Sequence, residues 1–224
     1  MILNNLILRV RYYLRRHGLR GTIHQVITRT RTKLYVDETH VWYELALVND
    51  RPRPALRPGL ELIRARSDDL SLLEELPTVS TVEGRHRMET GNDLWLVLDG
   101  RQPVFACWTF SNSAPVEAAT NGRLDLSSEI AYMEDSVTSP SYRGRGAIAP
   151  SAWSQVADRL ENDGVKAMIT KVEEDNKVMR WAMVKSGFRE IAIMHFHRRG
   201  LRKHTAVRLG TGATARWLAE QLTS

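Results

Sequence analysis

Arg143-Gly144-Arg145-Gly146 stands between a strand-like run and a helix-like run, and that position suits one kind of chemistry. Glycines let backbone N–H groups converge on an anion at a helix N-terminus, and two guanidinium groups add charge. A pyrophosphate is held in this way, so a nucleotide-bearing cofactor is the leading expectation. Upstream, Tyr132 and Glu134 are two apart on the expected strand Glu129–Val137, so they share a face while the pleat is regular. A partly buried carboxylate there can be tuned towards neutral pH and serve as a general base, so Glu134 is the first candidate and Tyr132 the second. Glu134 read alone also fits a strand residue facing solvent or an arginine.

The elements that must position these groups are legible in the periodicity. Before the loop, Leu60–Arg64 reads as a strand. Helical pieces follow from Ser67 to Leu76 and near Thr81–Met88, and Leu94–Leu98 and Val104–Phe110 form a hairpin about Asp99-Gly100. Ser111–Ser128 is polar and rich in small residues, and reads as a loop facing the site. After the glycine loop, a helix should start near Pro150, with Trp153, Val156, Ala157 and Leu160 on one face. Val165–Val172 is a strand and Asn176–Lys185 a helix capped by Asp175 or Asn176. A last hairpin turns about Gly200, and Ala213–Leu222 closes the chain.

Two familiar phosphate loops fit poorly. Gly144-Arg-Gly146-Ala-Ile-Ala149 formally matches the dinucleotide fingerprint, but a polar run from Thr138 to Arg143 replaces the immediate tight turn. Only one βαβ unit is present, and an antiparallel hairpin follows it. No Gly-Lys-Ser/Thr closes the loop, which excludes a P-loop.

From Glu129 to Phe188 the sequence resembles the core of the GNAT superfamily of coenzyme-A-dependent N-acyltransferases. Arg143-Gly144-Arg145-Gly146 is similar to the start of their pyrophosphate loop, and Asn176, Lys185, Gly187 and Phe188 follow their later Asn…Lys-x-Gly-Phe pattern. The resemblance implies an α/β (α+β) fold: a mixed, mostly antiparallel twisted sheet with a central splayed parallel strand pair and helices on both faces. It implies acetyl-CoA as acyl donor and direct attack by the amine of a small metabolite or sugar. The cofactor would be held by Arg143, Gly144, Arg145, Gly146, Ala147 and Ile148, with Asp135, Ser136 and Val137 on the splayed strand and Asn176 opposite. No metal is implied. Two departures stand out: Ile148 occupies a position usually Gly or Ala, and Met183 falls where a tyrosine often donates a proton to the leaving thiolate. A longer acyl donor, on coenzyme A or a carrier protein, and a degenerate coenzyme-A-binding or interaction module stay open as alternatives.

The net charge of +6 is unevenly placed. Residues 1–36 hold eight basic groups and no Asp or Glu, and the other 188 residues hold 24 basic and 26 acidic groups, a net of −2. Residues 1–58 are therefore read as a basic arm of amphipathic helices with a short strand and a Pro-rich connector, and 59–224 as the catalytic domain. The arm's apolar stripe suits an anionic membrane surface, an acidic partner, its own domain or a second subunit in a homodimer. No nucleic-acid motif accompanies the charge, which argues against a nucleic-acid partner. The single cysteine, Cys107, lies in a strand-like apolar run and reads as a packed core thiol in a reducing, cytoplasmic setting. His195 and His197 share a strand face and read as exposed, with a proton relay as the functional alternative. Glu173 and Glu174 are expected at the site entrance, and Trp108 and Trp181 in the core.

Overall fold

The computed structural model describes residues 35–48, 50–76, 78–144 and 148–223. The basic segment 1–34, with its expected helices, and Arg145, Gly146 and Ala147 of the glycine loop lie outside the described residues.

Ten strands are described: β1 Tyr35–Ala46, β2 Leu60–Arg64, β3 Asp93–Asp99, β4 Gln102–Phe110, β5 Ser113–Pro115, β6 Arg123–Asp125, β7 Ile130–Thr138, β8 Ala167–Glu173, β9 Arg189–Arg199 and β10 Arg202–Leu209. Eight of them form one sheet in the order β10-β9-β1-β8-β7-β4-β3-β2. All neighbours run antiparallel except β7 and β8. Helices α1 (Thr81–Glu89) and α4 (Ala213–Thr223) join a 3-10 segment (Ser67–Glu75) on one face, whose core holds Leu70, Trp108 and Leu218. Helices α2 (Ile148–Asn162) and α3 (Lys177–Lys185) cover the other face, whose core holds Phe105, Trp153 and Met183. Helices α2 and α4 bury apolar stripes, whereas α1 buries only Gly84 and α3 only Met183, and an apolar layer lies on each face of the sheet.

β1 corrects the reading of residues 1–58 as an arm apart from the catalytic domain. Its run from His40 to Leu45 is buried throughout, because the strand is inserted between β8 and β9 and faces a helix layer on each side. The connector after it is also bound to the domain. Arg51, buried, reaches Asp158 at 2.6 Å and Glu161 at 2.9 Å on α2, and Arg53 meets the same pair. Residue 58 is therefore no seam.

The remaining differences are local. Residues 67–75 wind as a 3-10 helix, and the expected loop 111–128 contains the β5–β6 hairpin with Ala114, Val116 and Leu124 buried. Gly187 has a physical reason for its place in the Lys-x-Gly-Phe pattern. It ends α3 at φ +89°, and a Cβ there would lie 2.7 Å from Cδ of Pro52 on the connector.

Candidate active site

β7 and β8 pair in parallel only over Ile130–Tyr132 and Ala167–Ile169, and no pairing continues beyond Tyr132 and Ile169. On its other edge β7 follows β4 with a shift: Trp108 faces Glu134, and Ala106 faces Val137. Asp135 and Ser136 thus stand opposite Cys107 alone, which is a β-bulge. Asp135 takes φ +51°, a left-handed conformation that Asp tolerates better than most residues. Its carboxylate is fixed by Arg87 of α1, whose Nη1 donates to Asp135 Oδ2 at 2.6 Å. The guanidinium lies over the rings of Trp108 and Phe110 and also donates from Nε to Glu83.

Bulge and splay open the sheet between β7 and β8, and three cavities with shared walls occupy the space. The largest, ≈ 780 Å3, is a groove along the far end of β7, lined by Ser136, Val137, Arg143, Gly144, Ile148 and Asn176 among others. It shares Ser136 and Asn176 with a junction cavity of ≈ 250 Å3, where Tyr132, Glu134, Asp135, Lys171, His40 and Met183 meet. The junction shares His40, Glu134 and Lys171 with an outer cavity, also ≈ 250 Å3, bounded by Glu38, Val116 and Phe196.

The groove gathers six of the residues expected to bind a cofactor. Ser136 Oγ accepts from Trp153 Nε1 at 2.8 Å, so the strand is tied to α2 where the groove begins. Arg143 Nε donates to Thr138 O at 3.2 Å, which folds the side chain back beside its own strand. Gly144 sits at φ +71°, a left-handed turn that glycine adopts without strain. Ile148 is buried at the groove floor. Asn176 caps α3, accepting from Met179 N at 3.2 Å, and its amide nitrogen is the group left for a ligand. Trp181 is a correction: it is 65% exposed and lines the groove. Trp108 is core, as expected.

Glu134 and Tyr132 do share a face. Tyr132 OH donates to Glu134 Oε1 at 3.1 Å, and Lys171 Nζ stands 3.7 Å from the same oxygen. Burial raises the Glu134 carboxyl above its ordinary range; Lys171 opposes this and the neighbouring Asp135 adds to it. Tyr132 is wholly buried between the rings of Trp42 and Phe110, and burial followed by the Glu134 charge pushes its hydroxyl well above the usual tyrosine value. It therefore stays protonated and serves as the donor that orients Glu134.

Besides Lys171, two residues of the site were missed by sequence reading. Arg87 is one. His40 on β1 is the other: it is 7% exposed, lines both small cavities, and its Nδ1 has no hydrogen-bond partner among the described residues. Burial, aided by Lys171, lowers its pKa from 6.5 to about 4, so the ring is neutral near pH 7. Met183 is buried against the junction cavity and places a thioether where a proton donor was looked for. Glu173 lines the junction, whereas Glu174 lines none of the three cavities. His195 and His197 lie outside them too, sharing Asp37 at 3.3 and 3.7 Å. Cys107 is fully buried, and burial drives its thiol pKa up, which suits an inert core residue.

The depressed His40 value has a consequence for stability. The unfolded chain takes up this proton near pH 6.5, whereas the fold resists it until about pH 4. The contribution is therefore complete above the unfolded value and is lost as pH falls through the folded one. Urea titrations at about pH 7.5 and about pH 4.5 should show wild type losing about 2–3 kcal/mol more than His40→Asn. Equal losses would mean that His40 titrates normally.

No family model matches the sequence, and no curated protein is similar to it. Solved structures are similar in fold. A GCN5-related N-acetyltransferase from Sphaerobacter thermophilus superposes with TM-score 0.54 at 16% identity, over 79% of this chain and 56% of that one. An acetyltransferase of the GNAT family from Colwellia psychrerythraea gives 0.52 at 12% identity, over 80% of this chain and 62% of that one. A GCN5-related N-acetyltransferase from Kribbella flavida gives 0.51 at 12% identity, over 82% of this chain and 65% of that one. The chain thus spans less than two thirds of each of these three. The fold is that of the GNAT superfamily: a mostly antiparallel sheet interrupted by one parallel, splayed pair. Among the described residues no helix is long and apolar enough to cross a membrane.

Proposed function

We propose that this protein is an N-acyltransferase that moves an acetyl group from acetyl-CoA to the amine of a small metabolite or sugar. The observation that carries the reading is the bulge at Asp135–Ser136. There a groove with an arginine/glycine mouth meets a cavity holding a desolvated carboxylate. The diphosphate would lie against Arg143, Gly144 and the three residues that follow, and the pantetheine arm between Ser136–Val137 and Asn176. In the reaction a neutral amine attacks the thioester carbonyl carbon, and a main-chain N–H of the 135–137 segment stabilises the oxyanion. The C–S bond then breaks with its electron pair on sulfur, and Glu134 takes the proton lost by nitrogen. A thiol with a pKa of about 8.5 leaves readily as thiolate, so Met183 is compatible with turnover.

Met183 also favours a second reading, a fold that binds coenzyme A without chemistry. Thermal melting with acetyl-CoA, coenzyme A and NAD, on wild type and Arg143→Glu, tests what both readings share. At a ligand concentration of about 100 Kd, wild type should gain about 2.7 kcal/mol, seen as a raised Tm. Arg143→Glu should lose that gain, and NAD should give none. A shift with NAD alone would end both readings, and a thiol-release assay over amines then separates enzyme from binder. For residues 1–36 we propose contact with a second subunit, an anionic membrane surface or an acidic protein. A cytoplasmic setting suits the free Cys107.

A further inference from the structure

The outer cavity narrows the amine, and this step rests on the acyltransferase reading. Three features define the cavity. First, His40 Nδ1 is a buried polar atom with no partner among the described residues, at the wall shared with the junction. Glu38 Oε2, at 4.0 Å, is too far for a hydrogen bond, and Lys171, whose charge acts on the ring, makes none to this atom. A neutral ring with Nδ1 unprotonated needs a donor at that point. Second, the carboxylates around the cavity differ in their partners. Glu117 is paired with Arg198 and Lys203, and Glu134 with Lys171. Glu38, half-exposed, has no cationic partner among the described residues unless His40 is protonated. Third, Val36, Val116, Met194 and Phe196 make one wall apolar.

We infer that the acceptor is a compact primary amine on an apolar body, whose N–H donates to His40 Nδ1. Glu38 draws the ammonium form to the mouth; the proton is released to solvent, and the free base binds with its lone pair turned to the junction. A ring with hydroxyls on every side would leave those turned to the apolar wall without partners, and an acidic acceptor would meet Glu38.

The test is thiol release by the full chain from acetyl-CoA with isobutylamine, 2-phenylethylamine, glucosamine or glutamate. Either apolar amine should exceed glucosamine by about tenfold or more in kcat/KM, with glutamate inert. His40→Ala should raise KM for the amine about 10- to 100-fold, and His40→Asn, which returns an acceptor near Nδ1, should recover part of the loss. Glu38→Gln, on the rim, should lower kcat/KM about 3- to 10-fold, with the difference vanishing at high salt. Coenzyme A melting shifts should be the same in every variant. Preference for glucosamine or glutamate, or a His40→Ala enzyme with wild-type KM, would each overturn the inference alone, whereas no turnover of any amine by a chain that binds coenzyme A would sink the acyltransferase reading and the inference with it. Wild type that fails to bind coenzyme A would sink the acyltransferase reading itself, a result the melting curves register separately.

Discussion

Glu134→Gln should lower kcat about 10^2- to 10^4-fold, the range for removing a positioned general base. The substitution keeps the shape of the side chain and leaves an oxygen to accept from Tyr132 OH, so the local packing has no reason to change. Lys171 loses its ion partner but is partly exposed and can hydrate. Glu134 does not line the groove, so affinity for coenzyme A should be unaffected. The pH profile adds a second readout. The base works as carboxylate, and its pKa lies above the ordinary 4.5 because burial disfavours the charge. Wild-type kcat at saturating amine, where the acceptor's own ionisation drops out, should therefore fall on the acid side, with a limb displaced upward from that of a free glutamate. Glu134→Gln should lack this limb. Steady-state kinetics showing less than a tenfold loss, with the limb intact, would remove Glu134 from the reaction.

The strands and helices around the glycine loop were legible because each carries its own period and ends at its own turn residue, as at Gly100 and Gly200. The groove followed from them, since its described walls come from residues 136–144, from the start of α2, and from Asn176 with α3. What escaped was pairing at long range. Nothing local in Tyr35–Ala46 says that it enters between β8 and β9, more than 100 residues away. One signal was present: Val41-Trp-Tyr-Glu-Leu-Ala is apolar at odd and even positions alike, as suits a strand covered on both faces. Reading that run as central would have placed His40 at the site instead of on an arm. Trp181 was misjudged for the opposite reason. It follows the helical spacing of α3, yet α3 is short and only part of its apolar surface reaches the sheet. Arg87 had no signal at all, because its value lies in a carboxylate 48 residues away.

That arginine supports the second large effect. Arg87→Met should destabilise the fold by roughly 2–4 kcal/mol and lower kcat/KM about 10- to 100-fold. Methionine preserves contact with Trp108 and Phe110 but removes the charge that holds Asp135, so the left-handed residue at the bulge loses its restraint. Without the latch β7 can relax towards regular pairing with β4. Relaxation would turn the Ser136 and Val137 backbone away from the groove and shift Glu134 relative to Lys171. Because no group of Arg87 lines the groove or the two small cavities, the loss of rate must travel through the bulge. The expected signature is a fall in kcat with little change in amine KM, together with partial recovery in Arg87→Lys, which restores charge but not the planar stack. Urea titration measures the first quantity and initial rates the second. A variant that is destabilised as expected but keeps wild-type kcat would show that the splayed sheet holds its own geometry and that Arg87 only stabilises the fold.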